Sequence, residues 1–113
     1  MAEYYAQRAS AGLIISEGSP ASPQAIGCIN VPCVYSKKQI DGWKMVTEAV
    51  HKNNGRVFCQ LWHPGRISHP DFLDGDIPVA PAAINPNDSV FTREGFKETV
   101  TPRVLTTAEI HNI

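Results

Sequence analysis

Apolar positions fall into three regimes along this chain. Between Ile40 and Val50 they recur every three or four residues, with Ile40, Trp43, Val46, Thr47 and Val50 on one face. That spacing predicts an amphipathic helix from about Lys37 to about Lys52. Ser36-Lys37-Lys38-Gln39 opens it with the pattern of a capping box, and Asn53-Asn54-Gly55 closes it with residues that tolerate the left-handed cap. The second regime is near-continuously apolar. Leu13-Ile14-Ile15, bounded by Gly12 and Gly18, reads as a short buried strand, and Arg56 to Leu61 as a strand covered on both faces. Glu3 to Ala11 is rich in helix formers and reads as the end of a helix, with Gly12 as its cap. Strand, loop, helix and strand then form one βαβ unit with parallel strands and a right-handed crossover.

The third regime has no period. Glu17 to Tyr35 is punctuated by Gly18, Pro20, Pro23, Gly27 and Pro32, and His63 to Thr106 by six prolines. Both read as long loops. Within the second, Val90-Phe91-Thr92 and Glu98-Thr99-Val100-Thr101 flank Arg93-Glu94-Gly95 and predict a small hairpin. Thr106-Thr107-Ala108-Glu109 is a further capping box and announces a helix. Long strand-to-helix loops joined to short helix-to-strand turns favour a (β/α)8 barrel over an open doubly wound sheet. No Gly-x-Gly-x-x-Gly string follows Leu13-Ile15, which counts against a dinucleotide fingerprint there. Two parallel strands leave their edges open, so the expected architecture is a slice of a larger α/β protein, with residues 1–113 as one fragment of a single domain and Met1 as an internal or artificial start.

Composition narrows the functional classes. A net charge of −1 offers no basic field for nucleic acid and no polybasic membrane anchor, and no apolar run approaches a membrane span. The first eight residues lack the charged and apolar regions of a signal peptide. Three cysteines (Cys28, Cys33 and Cys59) suit reduced thiols in a cytoplasmic protein. Cys28-x4-Cys33 has no second pair to complete a zinc site. His63, His69 and Asp71 straddle a Pro-Gly turn without helical spacing, so no metal site is expected.

Candidate chemistry gathers where the second strand ends, in Gln60-Leu61-Trp62-His63-Pro64-Gly65-Arg66. This string resembles the Old Yellow Enzyme family of flavin-dependent ene-reductases. So do Gly12-Leu13-Ile14-Ile15-Ser16-Glu17-Gly18, Ser22-Pro23-Gln24, the Trp43 to His51 stretch and Val79-Ala80-Pro81-Ala82-Ala83-Ile84, in the same order. The resemblance covers nearly all 113 residues and implies a partial (β/α)8 barrel, from about strand 2 to the start of helix 3. It implies FMN as cofactor, NADPH or NADH as hydride donor, and an activated alkene as small-molecule substrate.

Residue by residue, the resemblance gives Gln60 a carboxamide contact to the flavin pyrimidine edge, which presents both a donor and an acceptor. It places Gly18 where backbone approaches the flavin ring, a position that suits a residue with no Cβ. Trp62 and Cys28 would shape the substrate cavity, and Arg103 would stand near its entrance. Cys28 occupies a position where many members carry tyrosine, so the cavity would be wider here. Taken alone, each residue has a plainer reading. Gln60 would bond loop backbone, Gly18 would turn the chain, Trp62 would pack in a core, and Arg103 would be a solvated surface cation. His63 and Arg66 read as loop-fixing groups, with Arg66 able to hold Glu17 in a bidentate pair. The family's substrate-activating pair, proton-donating tyrosine and phosphate-binding arginine have no counterparts in these 113 residues, so the chain alone is expected to be inactive. The alternative is a truncated, catalytically inactive chain that serves as an interaction module or has no function.

Overall fold

The computed structural model describes all residues 1–113. The chain divides into two compact units, one made of Met1–Ser19 with Pro32–Leu61, the other of Pro20–Val31 with Trp62–Ile113.

The first unit is built on the βαβ pattern. A short helix α1 (Ala2–Ala6) leads to β1 (Ile14–Pro20), then the long helix α2 (Lys37–Lys52), then β2 (Val57–Trp62). Helix α2 begins where the capping box requires: the Gln39 amide donates to Ser36 Oγ at 3.3 Å, and the Ser36 amide donates to Gln39 Oε1 at 2.8 Å. These bonds satisfy two donors that a helix start otherwise leaves orphaned. Past the C-cap Asn53, Asn54 takes the left-handed conformation at φ 58°, and the Gly55 amide closes back on the Val50 carbonyl at 3.0 Å. Strands β1 and β2 pair in a two-stranded sheet. The Ile14 amide donates to the Arg56 carbonyl at 2.8 Å and the Gln60 amide to Ser16 Oγ at 2.9 Å. Residue numbers rise together along both strands, so they run parallel, as the helical crossover demands.

The core of this unit is Tyr5, Ala9, Val46 and Val50, with Trp43, Ile14 and Val57 packed against it. It covers one face of the sheet only. Ile14 and Val57 turn inward, while Ile15 and Phe58, one residue on and therefore on the opposite face, are 61% and 65% exposed. The expectation that both strands are buried is corrected on this point. Within this unit a helix covers one side of the sheet only, and the core reaches only the start of β2, leaving Cys59 and Leu61 exposed as well. The predicted first helix is also shorter than its composition suggests, with turns rather than helix from Gln7 to Ser10.

The second unit is loop-rich. It contains β3 (Val79–Ala80), the hairpin strands β4 (Ser89–Thr92) and β5 (Gly95–Glu98), β6 (Arg103–Val104) and helix α3 (Thr107–Ile110). The hairpin exists but is shifted from its predicted place. Thr92 pairs with Gly95, so the tip is Arg93-Glu94 and the returning strand starts at Gly95. Thr92 Oγ1 donates to the Gly95 carbonyl at 3.0 Å and accepts from the Glu94 amide at 3.2 Å, which fixes the two-residue tip. Phe91 and Phe96 face each other across the ladder with ring centroids 5.1 Å apart, an edge-to-face pair of the kind that sets register. Strands β3 and β6 pair in parallel, Val79 with Arg103 and Ala80 with Val104, a contact that no local pattern announced. Thr106 and Glu109 form the second capping box as expected.

Candidate functional site

In the first unit, the carboxyl end of β2 carries Gln60. Its backbone amide is engaged by Ser16 Oγ, but its side chain is exposed and takes no hydrogen bond from the chain. The plainer reading, a glutamine spent on loop backbone, is not what the fold does. Opposite, the end of β1 is shaped by hydroxyls. Ser16 Oγ donates to the Glu17 carbonyl at 2.8 Å and Ser19 Oγ to the same oxygen at 3.1 Å, and both serines are buried. In a trans peptide the C=O and the next N–H point opposite ways, so fixing the Glu17 carbonyl aims the half-buried Gly18 N–H away from the two hydroxyls. Glu17 is further held by Tyr5.

In the second unit, Trp62 is half-buried and Cys28 is an exposed free thiol. Arg103 is exposed but not a free solvated cation. Its Nη2 lies 2.8 Å from Glu109 Oε1 and its Nη1 donates to Glu109 Oε2 at 3.1 Å. Glu109 Oε2 also accepts from the Thr106 amide and hydroxyl at 2.8 and 2.9 Å. The Arg103 pair, followed by the Thr106 bonds, holds the Glu109 carboxyl down at about 2, and the same contact pushes the Arg103 guanidinium up.

The Pro-Gly turn after Trp62 fixes His63. The Gly65 amide donates to His63 Nδ1 at 3.0 Å, with Gly65 at φ 60°. Nδ1 is therefore the acceptor and Nε2 carries the proton, yet Nε2 is buried with no partner. Burial lowers the His63 pKa, so the ring is held neutral. A loop-fixing role suits this geometry. Arg66 does likewise, donating to the Ile84 carbonyl at 3.2 Å. No group of three or more His, Cys, Asp or Glu side chains converges on a point. No helix is long and apolar enough to cross a membrane.

Comparison with known proteins places this geometry in a class. The model of the NADH:flavin oxidoreductase / NADH oxidase family matches residues 1–113, and the chain belongs to that family. The flavin oxidoreductase hxnT of Emericella nidulans is 43% identical over 112 residues, 98% of this chain and 29% of that protein. A putative 12-oxophytodienoate reductase-like protein 1 of Arabidopsis thaliana is 41% identical over 115 residues, 100% of this chain and 34% of that protein. Among solved structures, the old yellow enzyme homologue from Zymomonas mobilis superposes with a TM-score of 0.92 at 42% identity, covering 98% of this chain and 31% of that one. Morphinone reductase in complex with tetrahydroNAD gives 0.88 at 46% identity, covering 96% and 32%. The Old Yellow Enzyme resemblance therefore stands, and the chain spans about a third of the length of these relatives.

Proposed function

We propose that this chain is the segment of an FMN-dependent ene-reductase that holds the flavin ring and shapes the substrate cavity, within a (β/α)8 barrel completed by further polypeptide. The observation that carries the reading is the free Gln60 carboxamide at the carboxyl end of a parallel strand, in a chain of this family. In α/β folds that end of the strand is where ligands bind.

The residues present fit the cofactor. An exposed carboxamide without a partner offers one donor and one acceptor to a pyrimidine edge that needs both, and Gly18, with no Cβ, lets the backbone of β1 come close to the ring. A bound FMN would supply the redox chemistry, accepting hydride from NADPH or NADH and delivering it to an activated alkene such as an α,β-unsaturated carbonyl. The protein's share is placement. Gln60 and Gly18 bind and orient the ring. Trp62 and Cys28 wall the substrate, with the small thiol leaving room. Arg103 stands at the substrate entrance as a cation already anchored by Glu109, suited to holding its loop rather than to travelling with a ligand. The proton donor and substrate-activating pair come from the further polypeptide, so residues 1–113 alone do not turn over. The reading places the protein in the cytoplasm, where thiols such as Cys28 and Cys59 stay reduced.

The test is the intact mass and visible spectrum of the protein from its source, read on one sample. A mass several times 12.4 kDa with a flavin spectrum is the expected result. A mass matching 113 residues and no flavin band would overturn the reading and favour a truncated interaction module.

A further inference from the structure

Two stretches of the second unit, residues 21–31 and 62–68, meet at one tight point. Gly27 is buried, and a Cβ built on it would lie 2.7 Å from the Ile67 carbonyl oxygen and 2.8 Å from Pro64 Cβ and Cγ. One residue earlier, the Ile26 carbonyl accepts a 2.6 Å hydrogen bond from the Oγ of Ser68, a residue only 1% exposed. Neither contact runs through the far end of a flexible side chain. The first is backbone against backbone and a proline ring, and the second is a short hydroxyl on a main-chain oxygen. Such contacts have little slack. The residue after Gly27 is Cys28, and Trp62 stands two residues before Pro64.

We propose that Gly27 and Ser68 form a clamp that sets the separation of Cys28 from Trp62, and so determines which alkenes the cavity accepts. The proposal rests on the ene-reductase reading, since it assigns those two side chains to the substrate wall. Ser68 is a positioning residue in this scheme, because it acts on the substrate only through the 26–28 backbone. Removing its hydroxyl leaves the Ile26 carbonyl buried without its donor and frees the loop to move outward. Forcing a Cβ onto Gly27 drives the same loop off Pro64 and Ile67. Both changes widen the wall on the Cys28 side and favour bulkier substrates over slim ones.

The experiment uses the native flavin-loaded protein and two substrates, an acyclic enal and a ring-fused cyclic enone. Ser68→Ala is expected to shift the ratio of kcat/KM between them by about tenfold toward the bulky enone, a size typical of one reshaped apolar contact. The shift should appear mainly in KM, with flavin absorbance and the rate of flavin reduction by NAD(P)H unchanged. Ser68→Thr keeps the hydroxyl and should restore the wild-type ratio. Gly27→Ala should move the ratio in the same direction as Ser68→Ala. An unchanged ratio in Ser68→Ala and Gly27→Ala at full flavin occupancy overturns the clamp. So does an equal loss on both substrates together with flavin loss, which is what a merely structural role would produce. A wild-type protein that holds no flavin overturns the ene-reductase reading itself and the clamp's role with it.

Discussion

Tyr5 and Glu17 are joined twice: the phenol donates to Glu17 Oε1 at 3.1 Å and accepts from the Glu17 amide at 3.4 Å. One hydroxyl thereby ties α1 to the side chain and the backbone of β1. Burial, more than the nearby carboxylate, raises the Tyr5 pKa, so the hydroxyl stays a donor across the ordinary range. Tyr5→Phe keeps the ring against Trp43 but leaves the Glu17 amide without this acceptor. It should cost about 1–2 kcal/mol, read as a lower urea midpoint at unchanged slope.

Gly55 is the place where α2 returns to the sheet. A Cβ there would stand 2.8 Å from Ala9 Cβ, Ala9 O and Val50 Cγ1, inside the core of the first unit. Gly55→Ala should destabilise by about 1–3 kcal/mol, because one of the opposed contacts is backbone and cannot turn aside. Thermal unfolding of the purified protein checks this. Gly12→Ala is the control, since a Cβ there meets nothing within 4 Å.

The Arg103–Glu109–Thr106 cluster makes the start of α3 acid-sensitive. The folded Glu109 carboxyl lies at about 2, below its ordinary value. Its contribution is therefore complete above the unfolded carboxylate pKa and is lost as pH falls from there through about 2. Amide exchange at Glu109 and Ile110 should rise over that window, and Glu109→Gln should remove the pH dependence. All of these groups are at the surface, so added salt should weaken the effect.

His63 should respond at milder pH. Its folded pKa is lowered by burial, so the unfolded chain binds the proton more readily and stability rises with pH through the histidine range. The contribution is present above the unfolded pKa and is lost as pH falls below it. Protonating Nδ1 also removes the acceptor for the Gly65 amide. The Gly65 amide resonance should shift in that window and stay fixed in His63→Asn, whose carboxamide oxygen can take over the bond without titrating.

Gln60→Ala should weaken FMN binding by about tenfold, the value of one or two hydrogen bonds to a neutral ring edge. The Gln60 side chain makes no hydrogen bond within the chain, so the melting temperature of the flavin-free protein should not move. Flavin fluorescence titration against both forms reads the difference.

What could be read from the sequence was local chemistry. Both capping boxes, at Ser36 and Thr106, occur as written, because a four-residue hydrogen-bond motif is complete within its own letters. Helix α2 spans Lys37–Lys52 for a related reason, a period sustained over four turns between two strong caps. The rest depended on residues distant in sequence. The β3–β6 pair joins positions more than twenty residues apart with two residues a side, too few to leave a period. The bond from Ser68 to Ile26 links loops that each look like plain turn sequence. The burial of β2 was misjudged because apolar letters state a need for cover, not that this stretch of chain supplies it.

That uncovered side has a consequence for the chain in a cell. Ile15 and Phe58 present branched and aromatic surface on a two-stranded sheet with open edges, the kind of surface that pairs with other chains. An uncovered apolar strand face of this kind is a natural client for chaperones that bind extended apolar strands. The chain's soluble yield should fall steeply with expression level, and Phe58→Lys should recover it.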